Sequence, residues 1–80
     1  MDKHILDFNA KARLVGDNRQ WIIQTRNKPK SKWKSKHFIN STRGVLLMVL
    51  DENNIVPTKK ANAAIFAMPS TYRAWASKNL

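Results

Sequence analysis

Six cations alternate with other residues through "RNKPKSKWKSK" at positions 26–36: Arg26, Lys28, Lys30, Lys32, Lys34 and Lys36. No acid interrupts them, and the acid-free stretch runs on to a seventh cation, Arg43. Such a run has a direct chemical use. Lysine is a compact point charge, suited to phosphate oxygens more than to base edges. Binding of that kind is weakly sequence-specific and falls steeply with salt. Trp33 lies inside the run and Phe38 just beyond it. Exposed among the lysines, either ring would stack on an unpaired base. Turned inward, it would serve the core, the commoner role of a lone aromatic in a small domain. The lysines have a plainer use as well, because charge on an edge strand discourages edge-to-edge aggregation.

Other chemistry has little to work with. The acids are Asp2, Asp7, Asp17, Asp51 and Glu52, the histidines are His4 and His37, and there is no cysteine. Neither a His-x-x-x-His pair nor a Gly-rich phosphate loop is present. Asp51 and Glu52 are adjacent, so on a helix they point about 100° apart and do not converge. "HFIN" at 37–40 has residue types found in some nuclease sites, but a His and an Asn three apart is too common a pattern to count. It reads as a strand histidine beside a helix cap. The expectation is a binding protein with no catalytic residue, metal or cofactor.

Fifteen Lys and Arg against five Asp and Glu leave a net charge of +10 on 80 residues. Self-repulsion of that size opposes compactness, and an acidic partner relieves it. Nucleic acid, DNA or RNA, is the expected partner of so basic a domain. A membrane is not: the longest apolar run, "VLLMVL" at 45–50, is far too short to span one. The N-terminal stretch has acids among its apolar residues and no long apolar core of a signal peptide, so a cytoplasmic protein is expected.

These residues must be positioned by a small α+β domain of two layers, a single unit over 1–80. Residues 1–10 are mixed in texture and read as a frayed lead-in. Residues 11–40 read as a β-hairpin region. "QWIIQTR" and "WKSKHFIN" pair across a "NKPKS" turn that Pro29 forces, and a third strand lies near Lys11–Val15. Period-2 alternation then puts Lys32, Lys34 and Lys36 on one face with Gln24 and Arg26. Trp33, Ser35, His37 and Ile39 turn toward the helices. Phe38 falls on the basic face unless a bulge redirects it.

Residues 41–80 change to helical texture. Asn40, Ser41 and Thr42 are cap residues before "RGVLLMVLDENN", with Asn53 and Asn54 as stops. A strand-turn-strand reading of 45–56 remains open on period alone. Thr58 caps "KKANAAIFAM" up to Pro69, with Ala61, Ile65 and Met68 on one stripe. Ser70 or Thr71 caps a short last helix with Tyr72, Trp75 and Ala76 on one face. Lys59 and Lys60 sit in a first turn, where the helix dipole disfavours cations. The spacing of the first two helices suits a helix-turn-helix, yet the second has few side chains that read base edges.

Two functional readings follow. In the first, Arg26, Lys28, Lys30, Lys32, Lys34 and Lys36 contact phosphates, flanked by Arg43, Lys59 and Lys60, with Trp33 and Phe38 as stacking candidates. In the second, the same charge docks an inhibitor or adaptor, of the kind made by phages and mobile elements, onto an acidic or nucleic-acid-binding surface of a host protein. Phe38, Tyr72 or Trp75 would then be apolar anchors.

Overall fold

The turns have local causes that can be read atom by atom. Asn9 Oδ1 accepts the Lys11 N–H at 2.8 Å, and Asp17 Oδ1 accepts those of Arg19 and Gln20 at 2.8 and 2.9 Å. Both are side-chain mimics of a backbone turn. Pro29 takes the second position of a turn that the Ser31 N–H closes onto the Lys28 carbonyl at 2.9 Å. In the computed structural model, which describes residues 2–80, these turns link β1 (Lys3–Asn9), β2 (Ala12–Gly16), β3 (Trp21–Thr25) and β4 (Lys34–Ile39). The strands form one antiparallel sheet in the order β1-β2-β3-β4. The helices α1 (Arg43–Glu52), α2 (Lys59–Ala67) and α3 (Tyr72–Asn79) follow. This is the small two-layer α+β domain expected, with one strand more than expected.

The extra strand is β1, where a frayed lead-in was expected. Leu6 and Phe8 are buried and Asp7 between them is exposed, the alternation of a half-buried strand. Its pairing with β2 steps past Ile5 and Phe8. These bulges, with a polar start, hide the period in the sequence.

Each helix begins at a threonine. The side chains of Thr42, Thr58 and Thr71 accept the N–H groups of Val45, Ala61 and Ala74 at 3.1–3.2 Å. The helical reading of 45–56 holds as far as Glu52. There Asn54 adopts φ 56°, and the Ile55 N–H reaches back to the Leu50 carbonyl at 2.9 Å. The Asn54 N–H meets the Asp51 carbonyl at 3.1 Å. This pair of bonds is a Schellman stop, and it turns Ile55 back against the core.

All three helices pack on one face of the sheet. Leu46 and Leu50 of α1, Ala61 and Ile65 of α2, and Tyr72 and Trp75 of α3 join Leu6, Phe8, Ala12, Leu14, Trp21, Ile23 and Ile39 in one core. Tyr72 stands edge-on to Trp21, centroids 5.8 Å apart, and 5.7 Å from the Trp75 ring. Its hydroxyl donates to the Asp17 carbonyl. Tyr72 and Trp75 are thus core residues, 7% and 4% exposed, and not the surface anchors of the adaptor reading. The starts of α1 and α3 are tied by a two-way bridge: Arg43 N–H to Ser70 O at 2.8 Å and Tyr72 N–H to Ser41 O at 2.9 Å.

The Trp75 ring lies on the backbone of Gly16. A Cβ at Gly16 would meet Trp75 Cζ3 at 2.7 Å and Cη2 closer still, and this buried ring has nowhere to go. Gly16→Ala is therefore expected to lower stability by about 1–3 kcal/mol, the range for overpacking. At Gly44, in the first turn of α1, the nearest neighbour would be Thr42 Oγ1 at an ordinary 3.6 Å. Gly44→Ala should raise stability by about 0.4–1 kcal/mol by narrowing the unfolded ensemble. Urea denaturation of both variants checks the contrast in sign.

Burial, and then the negative charge of Asp17, push the Tyr72 hydroxyl above its ordinary pKa of 10.0. The folded state thus holds the phenolic proton to higher pH than the unfolded state does. Its contribution is complete below pH 10 and is lost as pH rises beyond it. Tyr72 is the only tyrosine, so phenolate absorbance should rise together with loss of the fold in an alkaline titration. A phenolate signal at the ordinary pKa with the fold intact would contradict this.

Candidate nucleic-acid interface

Residues directly opposite one another in an antiparallel ladder project to the same side of the sheet. This sorts the open face from the helix-covered one. Trp21 faces Ile39 and Ile23 faces His37 across β3 and β4, and Trp21, Ile23 and Ile39 belong to the core. Ile22 and Phe38 are partners on the other face. The pairing then steps past Lys36, so Gln24 meets Ser35 and Thr25 meets Lys34.

That bulge overturns the expected alternation. Ser35 shares the open face with Gln24, although simple parity turned it inward. Lys34 shares the side of Thr25, so Lys34 and Phe38 project to opposite sides. His37 and Ile39 point inward as expected. The lysines do not form one row on a single face; they line the hairpin tip and the β4 edge.

Two rows cross the open face. The first is His4, Val15, Ile22 and Phe38, each opposite the next. Val15 and Ile22 are buried outside the main core, while Phe38 is 56% exposed. The second row is Asp7, Arg13, Gln24 and Ser35. Here Arg13 Nε donates to Gln24 Oε1 at 2.8 Å, and Gln24 Nε2 donates to Ser35 Oγ at 3.2 Å. Past this row lies the half-buried Trp33 ring, with the guanidinium carbons of Arg13 and Arg26 at 4.4 and 4.1 Å from its centroid. Trp33 is on the open face, not in the core. Arg26 is itself held, donating from Nε to the Ala10 carbonyl at 3.0 Å. Arg13 was missed in the sequence. The sign was there, since Arg13 alternates with Ala12 and Leu14, but its partners follow only once the meander order is known.

Lys28, Lys30, Lys32, Lys34 and Lys36 are all exposed. Among the described residues no lysine or arginine pairs with a carboxylate, the one contact of that kind being His4 Nε2 with Asp7 Oδ1 at 3.0 Å, so no lysine of the hairpin is neutralised. The remaining expected contacts lie elsewhere. Lys59 and Lys60 open α2, which the Thr58 N–H fastens to the Phe8 carbonyl at 2.8 Å. They therefore belong to the β1 edge, three strand spacings or about 14 Å from β4. Lys60 lines a cleft of about 570 Å³ there with Ile5, Asp7 and Thr58. Arg43 donates to the Phe66 and Met68 carbonyls at 3.1 and 2.7 Å, closing the C-terminal end of α2 where the dipole favours a cation.

Among the described residues no group of three or more His, Asp or Glu side chains is placed to hold a metal ion, and no helix is long and apolar enough to cross a membrane. No family model, curated protein or solved structure matches the chain. Its own residues must carry any functional conclusion.

Arg43 and Lys32 should separate structural from surface cations. Arg43→Ala is expected to lower stability by about 1.5–3 kcal/mol, the range for hydrogen bonds to a charged group. Lys32→Ala should stay within about 0.5 kcal/mol of the parent. Denaturant midpoints of the two variants decide this.

Proposed function

We propose that this protein binds nucleic acid, chiefly through phosphate contacts from the lysine hairpin, with low sequence specificity. The observation that carries the reading is the set of five exposed, unneutralised lysines from Lys28 to Lys36, in a stretch without a carboxylate between Asp17 and Asp51. A surface that only needed solubility would intersperse both signs. Here six of the fifteen Lys and Arg are gathered at one hairpin and along one sheet edge, which is the footprint of a polyanion site. Arg43 serves the fold, and Lys59 and Lys60 belong to the opposite edge, so the hairpin is the primary contact. The adaptor reading keeps the charge and the exposed Phe38 but loses Tyr72 and Trp75 to the core.

Titration of a labelled oligonucleotide at several salt concentrations tests this. If each of the five lysines neutralises one phosphate, log K should fall with log salt at a slope of roughly −3.5 to −4.5. Lys28, Lys30 and Lys32 exchanged together for Glu should weaken binding at least about tenfold at low salt, with the fold retained, because all three side chains are exposed. Absence of binding to DNA and RNA at low salt would overturn the proposal, as would affinity indifferent to the triple exchange.

A further inference from the structure

We infer that the open sheet face takes unpaired nucleotides, with Phe38 as the platform on which a base stacks; this rests on the nucleic-acid reading above and narrows it. Phe38 is the decisive residue. The inner face of the sheet is filled with apolar side chains, yet this phenyl ring stands on the outer face at 56% exposure. Its directly opposite partner is Ile22, with Val15 next in the same row, and both are buried. The row runs from His4 through these two buried side chains to the exposed Phe38 ring at the β4 edge, so Phe38 is the apolar group it offers a ligand. The bulge at Lys36 falls two residues from it.

The second and third layers of the face complete a nucleotide-sized chemistry. Ser35, exposed, keeps its own hydroxyl proton free to donate while its oxygen accepts from Gln24. Arg13 and Arg26 hold their guanidinium groups over the Trp33 ring. The Trp33 layer lies about 13 Å from the Phe38 row, four residues along the neighbouring strand. Guanidinium and aromatic planes are the groups on which splayed bases stack. The lysines of the hairpin and edge are complementary in charge to the backbone of the same strand.

A duplex fits this surface less well. Its bases are already stacked on one another and offer no free face to Phe38. Its groove edges present hydrogen-bonding patterns that the Phe38 ring does not match. Single-stranded DNA and RNA share the unpaired base and the phosphate, so both are arms of one experiment.

The experiment measures the anisotropy of labelled single-stranded DNA, single-stranded RNA and a duplex of the same sequence, using the intact protein. At least one single strand should bind about tenfold or more tightly than the duplex. Phe38→Ala should weaken single-strand binding about fivefold to a hundredfold, the range for losing one base stack. Phe38→Tyr should retain it, and both variants should be folded at the assay temperature, Phe38→Ala with a somewhat lower melting point because the ring is only partly exposed and lies opposite buried Ile22. Equal or tighter duplex binding overturns the inference, as does unchanged single-strand affinity in Phe38→Ala. If affinity is lost on the lysine-to-glutamate exchange but not in Phe38→Ala, the inference falls while the phosphate reading stands. If no nucleic acid binds, both fall.

Discussion

The Trp75 ring packs directly against a strand backbone that only glycine leaves bare, and the helical layer is built outward from that contact. Trp75 fixes α3 over the β2–β3 end of the sheet. Tyr72, one turn earlier, fills the space between Trp75 and Trp21 and reaches the 16–20 turn through its hydroxyl. The Ser41–Arg43 segment is bridged to Ser70–Tyr72, so placing α3 also places the start of α1. Arg43 then holds the far end of α2. A domain of this size buries only about 60% of its unfolded surface and has no disulfide to help it. It uses aromatic area and shared helix ends instead.

Because every helix is committed to one face, the other face of the sheet is left to its own side chains. Val15 and Ile22 lie buried there in one row, and Gln24 is satisfied by Arg13 and Ser35. What remains is an exposed phenyl ring, a half-buried tryptophan beside two arginines, and exposed lysines with no counter-charge. Each works against solubility or compactness when the protein is alone. Each becomes favourable beside a polyanion with unstacked bases. The same division of faces that stabilises the fold therefore creates the surface on which the functional proposal stands.

Much of this was legible residue by residue. "QWIIQT" and "HFI" announced paired strands, Pro29 announced the turn, and the threonine caps with their Leu, Ala and Ile stripes announced the helices. These signals are local: branching, ring-fixed φ and side-chain oxygens act within a few residues. The misses are all non-local. β1 was obscured because two bulges interrupt its period and because its partner confers its order. The single inserted residue at Lys36 reversed the facing of Ser35, since strand parity propagates until something interrupts it. Tyr72 and Trp75 looked free for a partner because nothing in their own segment shows that Gly16 opens a seat for a ring. Arg13 and Arg26 meet Trp33 only through the meander.

The central claim is that the hairpin and the open sheet face form one nucleic-acid surface. Amide and indole NMR shifts followed during titration with a short single-stranded oligonucleotide test it most directly. The account predicts perturbations confined to Arg13, Gln24, Arg26, residues 28–36 and Phe38, including the Trp33 indole, with the Trp21 and Trp75 indoles unmoved. Perturbations centred on α1–α3 or on the cleft between β1 and α2, with the open face silent, would contradict it.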